Sequence, residues 1–102
     1  MSEFIKVGTK SEITEGRMKS FLIKEKQITI ANTQGEYLAF DDTCTHAQCS
    51  LAGGFLSGKT ITCYCHGGQF DLKTGKVLGP PPETPLNVYK IKVEGEDILV
   101  EI

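Results

Sequence analysis

All four cysteines and both histidines of this chain fall within one stretch, CTHAQCSLAGGFLSGKTITCYCH, running from Cys44 to His66. Any metal or redox chemistry that cysteine and histidine can support is confined to it. Cys44 and His46 form a C-x-H pair, Cys63 and His66 form a C-x-x-H pair, and sixteen residues separate His46 from Cys63. Two loops that each present one thiolate and one imidazole bring two soft and two nitrogen donors to one point. Such a set suits zinc or an iron–sulfur cluster.

The spacing separates the two. C-x-H, sixteen residues, then C-x-x-H resembles the ligand pattern of the Rieske 2Fe-2S proteins. The likeness continues through His66-Gly67-Gly68-Gln69-Phe70-Asp71, which is similar to that family's H-G-x-x-F/Y-D run. It extends to Gly79-Pro80-Pro81-Pro82, which resembles the proline loop that covers the cluster. A structural zinc module would need only four of the six cysteines and histidines, and C-x4-C followed by C-x-C is not a usual zinc spacing. Zinc protein would also be colourless, whereas a ferric sulfide cluster absorbs visible light.

The resemblance implies that Cys44 and Cys63 bind one iron of a Rieske-type 2Fe-2S cluster, and His46 and His66 the other. Replacing two thiolates by neutral imidazoles raises the oxidised cluster's charge from −2 to zero. Its potential is then expected in the Rieske range of about −150 to +300 mV rather than near that of four-cysteine ferredoxins. Cys49 and Cys65 match positions that form a disulfide in the high-potential members of the family. A bridge there closes a loop of fifteen intervening residues, worth roughly 3 kcal/mol in the chain-entropy model and less where a cluster already joins the loops. Two free buried thiols are the alternative, because cytosolic disulfides are uncommon.

In two places the chain departs from the high-potential pattern. Those proteins carry a serine and a tyrosine whose hydroxyls donate to the cluster sulfurs, where this chain has Gly68 and Phe70. Losing both donors lowers the expected potential within the range. By analogy, Ala47, Leu51, Gly67 and Pro81 would form an apolar docking rim around the histidines.

The rest of the chain reads as short strands. Residues 3–7, 18–23, 27–31 and 36–40 are apolar-rich runs separated by turn chemistry, and the last delivers the chain to Cys44. Thr60 to Thr62 leads into Cys63, and residues 69–72 and 76–78 flank the turn Lys73-Thr74-Gly75. Residues 88–93 and 98–102 alternate apolar and polar around Glu94-Gly95-Glu96-Asp97 and read as a closing hairpin. No apolar period of 3.6 is sustained over ten positions, leaving at most a helical turn near residues 11–16.

The fold class is therefore all-β, a sandwich or small barrel. The resemblance implies a Rieske fold, an antiparallel base carrying an inserted cluster-binding lobe at approximately 42–83, with 1–102 as one domain.

A net charge of −2 without a basic stripe argues against nucleic acid as a partner. Nowhere do eighteen apolar residues follow one another, and the first ten residues lack signal-peptide architecture, so a soluble, cytoplasmic monomer without a membrane span is expected. With both histidines committed to a cluster, none remains for a two-histidine, one-carboxylate oxygen-activating iron. No nucleotide fingerprint occurs either, so no catalytic residue is assigned. The expected function is a soluble one-electron carrier, a Rieske-type ferredoxin between a reductase and an oxidoreductase or oxygenase partner. The alternatives are a small Rieske subunit of a nitrite reductase or ring-hydroxylating dioxygenase system, and a zinc or thiol–disulfide structural module.

Overall fold

A computed structural model describes residues 3–43, 49–65, 67–79 and 85–102. Among these, eleven strands and two short 3-10 turns account for the regular structure, and no α-helix occurs. The strands are β1 (Phe4–Thr9), β2 (Arg17–Ile23), β3 (Lys26–Thr33), β4 (Glu36–Asp41), β5 (Phe55–Ser57), β6 (Thr60–Thr62), β7 (Gln69–Asp71), β8 (Val77–Gly79), β9 (Val88–Tyr89), β10 (Ile91–Glu94) and β11 (Asp97–Glu101). They make three antiparallel sheets, ordered β1-β11-β10, β2-β3-β4-β9 and β5-β6-β7-β8.

The second sheet is covered on both faces, and its sequence shows it. Residues 28–31 of β3 are buried without interruption, as expected of a strand packed on two sides. Successive side chains of a strand point to opposite faces. Ile28 and Ile30 accordingly pack with Ile13, Ile23, Ile98 and Val100 against the first sheet. Ala31 packs with Leu38, Phe40, Leu51, Ile61, Cys63 and Phe70 against the third. The β5–β8 sheet is thus seated on the base through a continuous apolar layer, and that layer contains a cysteine.

Two expectations need correction. Residues 88–93 are not one strand, because the chain breaks at Lys90. Val88 and Tyr89 pair with Phe40 and Ala39, whereas Ile91 to Glu94 pair with Val100 to Asp97 in the other sheet. A strand that changes sheets at a corner keeps its two-residue alternation, so the pattern could not reveal the break. The second is β5, a strand between Gly54 and Gly58 where none was expected. It pairs with β6 in register, Phe55 opposite Thr62 and Leu56 opposite Ile61.

The corner at Lys90 is tied by Asp41, whose carboxylate accepts hydrogen bonds from the Tyr89 hydroxyl and from Asn87 Nδ2, the latter at 3.0 Å. Desolvation and the neighbouring Asp41 carboxylate both push the Tyr89 phenol well above its ordinary value. The unfolded chain therefore loses this proton near pH 10 while the folded chain retains it. Stability from this group is complete below pH 10 and falls as pH rises above it. Tyr89→Phe is expected to cost about 1 kcal/mol at neutral pH and to flatten the alkaline slope, measured by urea unfolding between pH 8 and 11.

Candidate metal centre

Each end of the cysteine-rich stretch leaves a strand. The chain exits β4 at Asp41, and Asp42 and Thr43 follow. Thr43 bridges to Ser50, so the positions flanking 44–48 are held side by side. The turn Leu51–Gly53 then leads into β5. The second loop leaves β6 at Thr62 and turns immediately, because the Cys63 N–H donates to the Gly68 carbonyl at 2.7 Å and the Gly67 N–H donates to the Cys63 carbonyl at 3.0 Å. Gly67 has φ +74, a left-handed conformation that glycine adopts without steric cost.

Cys63 is 2% exposed within the apolar layer that includes Leu51, Ile61, Phe70 and Leu72. Cys49 and Cys65 pack against the same layer and are joined as a disulfide, with Cα atoms 6.5 Å apart. The sulfurs of Cys49, Cys63 and Cys65 all lie within 4.8 Å of one another. The flanks of both ligand loops therefore converge on one sulfur-rich, water-poor spot. Of the four candidate ligands Cys63 is described; Cys44, His46 and His66 lie outside the described residues, as do Ala47 and Pro80, Pro81 and Pro82. Leu51 is fully buried and cannot belong to a docking rim. Its alternation-free neighbourhood, SLAGG, gave no sign of this.

Asp42 is the residue that sequence reading missed. It is 7% exposed, and its Oδ1 accepts three hydrogen bonds, from Thr29 Oγ1 at 2.6 Å, Ser50 Oγ at 2.9 Å and the Ala52 N–H at 3.1 Å. Its backbone carbonyl accepts from the Leu51 N–H at 2.6 Å and its N–H donates to Gln27 at 3.0 Å. One buried carboxylate thus fastens both stems of the first loop to β3. The only available signal is an acidic pair at a strand end, Asp41-Asp42, separated from Cys44 by Thr43.

Gly54 provides the second fastening. A Cβ there would sit 2.3 Å from the Thr62 carbonyl oxygen, so the chain leaving the first loop touches the backbone one residue before Cys63. A groove of about 450 Å³ elsewhere, between β4 and the β9–β10 corner, is lined by Tyr37, Lys73, Tyr89 and Lys90 and contains none of the cysteines.

A buried thiol at a strand end, flanked by sulfur and aliphatic carbon, fits a low-dielectric iron–sulfur centre, and the donor set of two cysteines and two histidines fits its mixed ligation. An all-β protein with that centre on paired loops is of the iron–sulfur electron-transfer class. The chain belongs to the Rieske [2Fe-2S] domain family, whose pattern matches residues 3–90.

It is 40% identical over 99 residues to the biphenyl dioxygenase ferredoxin subunit of Pseudomonas sp. strain KKS102, covering 96% of this chain and 91% of that one. Among solved structures it is similar to the ferredoxin of carbazole 1,9a-dioxygenase from Nocardioides aromaticivorans IC177. That match has 26% identity and a TM-score of 0.90, and it covers 95% of each chain. A chain from the complex of reduced oxygenase and oxidised ferredoxin in carbazole 1,9a-dioxygenase matches at 30% identity and TM-score 0.88, over 95% of this chain and 91% of that one. This chain is a one-electron carrier of the Rieske ferredoxin kind, and its cofactor is a 2Fe-2S cluster.

Proposed function

We propose that this chain accepts an electron from a reductase and delivers it to the oxygenase component of a ring-hydroxylating dioxygenase, as a separate carrier that performs no chemistry on substrate. Residues 1–102 form one domain in this reading, with 42–83 as the cluster lobe. Cys44 and Cys63 hold one iron, and His46 and His66 hold the other. When bound, the cluster supplies a single reversible electron. The protein keeps water from the thiolate side through Leu51, Ile61, Phe70 and Leu72, which surround Cys63.

That buried Cys63, packed beside the Cys49–Cys65 bridge, is the observation that carries the proposal. The likeness to dioxygenase ferredoxins supports the choice of partner, and none of the described helices is long and apolar enough to cross a membrane. A cytoplasmic location follows from such a partner. Docking is expected to be weak and transient, as at small electron-transfer interfaces.

The direct test mixes anaerobically reduced protein with the oxidised oxygenase component of a biphenyl dioxygenase and follows both clusters by stopped-flow absorbance. Second-order transfer supports the proposal. Purified protein holding stoichiometric zinc and no iron would sink it.

Gly68 and Phe70 bear on the potential. Gly68 is buried with its carbonyl engaged by Cys63, and Phe70 is fully buried in the layer containing Cys63. Neither side chain can donate a hydrogen bond. Gly68→Ser with Phe70→Tyr is expected to raise the midpoint potential. A charge-assisted bond worth about 1.5 kcal/mol more in the reduced state corresponds to about 60 mV. Protein-film voltammetry reads the shift, and an unchanged potential would show that the added hydroxyls do not reach the cluster.

A further inference from the structure

The groove between β4 and the Lys90 corner follows strand edges rather than a sheet face. A face is lined by every second residue of a strand, yet consecutive residues line this groove, Glu36 to Ala39 on one wall and Val88 to Ile91 on the other. The two walls are antiparallel strands that separate. They pair at Phe40 with Val88 and at Ala39 with Tyr89, and beyond Lys90 the second wall leaves to join β11.

The separation leaves one rung of the ladder open. In an antiparallel sheet, alternate residues turn both main-chain polar groups toward the same neighbouring strand. The Asp41 N–H donates to the Asn87 carbonyl at 3.0 Å, so Asp41, Ala39 and Tyr37 present their N–H and C=O groups to the β9 side. Ala39 meets Tyr89 there. Tyr37 would meet Ile91, but Ile91 pairs with Val100 in the other sheet. Among the described residues no strand lies opposite Tyr37 on that side, and an unpaired edge is a template for another chain.

Charge selects what fills it. Lys73 and Lys90 are exposed and line the groove. Among the described residues Glu36 is the one acidic group in its walls, and its carboxylate is shared by Lys59 and Lys73, the latter at 3.6 Å. Behind Tyr89, Asp41 is offset by Lys26, whose ammonium lies 5.9 Å from the Tyr89 ring. The mouth is therefore left with surplus positive charge over a floor of buried Leu38 and Leu72.

We infer that this wedge is a β-augmentation site for an extended acidic segment of a partner protein, one residue of which supplies the rung opposite Tyr37 while flanking carboxylates meet Lys73 and Lys90. Main-chain pairing gives such sites affinity, and the surrounding side chains give them selectivity. A residue directly opposite Tyr37 shares its face, toward the first sheet. The residues on either side of it point the other way, where Glu36 and Lys73 meet. None of the cysteines lines the wedge, so a segment held there is independent of which residues hold the cluster.

The test uses holoprotein at low salt, with a blocked synthetic peptide of threonine, glutamate, valine, glutamate and threonine as the probe. Amide hydrogen exchange followed by NMR reads the rung, and calorimetry reads the affinity. In the free protein the Tyr37 amide is expected to exchange about tenfold faster than those of Ala39 and Asp41, and saturating peptide should slow it about tenfold. Lys73→Ala/Lys90→Ala should weaken binding about fivefold. N-methylation of the peptide's valine removes the donor to the Tyr37 carbonyl and should weaken it about tenfold.

A Tyr37 amide as protected as that of Ala39 in the free protein would mean that the ladder is closed, and no slowing at millimolar peptide would mean that nothing pairs there. Equal binding of the N-methylated peptide would remove the rung, and equal binding by the double lysine variant, or of a peptide with lysine in place of glutamate, would remove the charge. Slowing by glutarate alone would mark a small-anion site. Slowing with rising protein concentration would seat a second copy in the wedge. Any of these results overturns the inference.

Discussion

Asp42→Ala is expected to unfold the first ligand loop from its base and to yield protein that loses iron during purification. Truncation removes the shared acceptor of Thr29 Oγ1, Ser50 Oγ and the Ala52 N–H. Thr29 is fully buried, so water cannot replace the lost partner without opening the apolar layer. Stranding buried donors costs about 1–3 kcal/mol for each group that stays dry. A total of roughly 3 kcal/mol would lower the melting midpoint of a domain of this size by about 15 °C. Asp42→Asn separates the cause, because an amide oxygen can still accept all three bonds. That variant should keep most of the stability and its cluster, whereas equal losses in both would point to charge rather than hydrogen bonding. Thermal melts followed by circular dichroism, with iron per chain, read both quantities.

Much of the fold could be read from residue patterns because strands declare themselves by alternation. Residues 98–102 were placed for that reason, and 36–40 and 60–62 as short apolar or β-branched runs bounded by turn residues. The same logic failed at Lys90, where two strands of different sheets share one phase, and at β5, where Gly54 and Gly58 outweighed Phe55-Leu56-Ser57. The cysteine pair at 49 and 65 was legible only through family likeness, since spacing alone permits other pairings among four cysteines. Asp42 was legible only as half of an acidic pair at a strand end. Its role depends on Thr29, thirteen residues earlier, and on Ser50 and Ala52 beyond the loop, contacts that no local pattern encodes.

Gly54 joins the two levels. Its sequence signal was that of an ordinary breaker, but its constraint is a close approach. The ideal Cβ would lie 2.3 Å from the Thr62 carbonyl oxygen and 3.2 Å from that of Leu51. Both neighbours are backbone, and the Leu51 carbonyl already accepts the Gly54 N–H at 2.9 Å, so neither can rotate away as a side chain would. Gly54→Ala must push β6 off the turn at residues 51–53, and the displaced residue directly precedes Cys63. The cost expected for such overpacking is about 2–3 kcal/mol. The functional loss is expected to be larger than that figure suggests, because the strain opens the gap between the two loops that the ligands must span.

Gly53→Ala supplies the control. Its Cβ would meet only the Tyr64 ring, at 3.4 Å, and the change should stay within about 0.5 kcal/mol. Iron and sulfide content of the two variants, purified side by side, decides the matter. A Gly54→Ala protein that retains a full cluster would mean that β6 and the first loop can separate without cost, and that the disulfide alone sets their spacing.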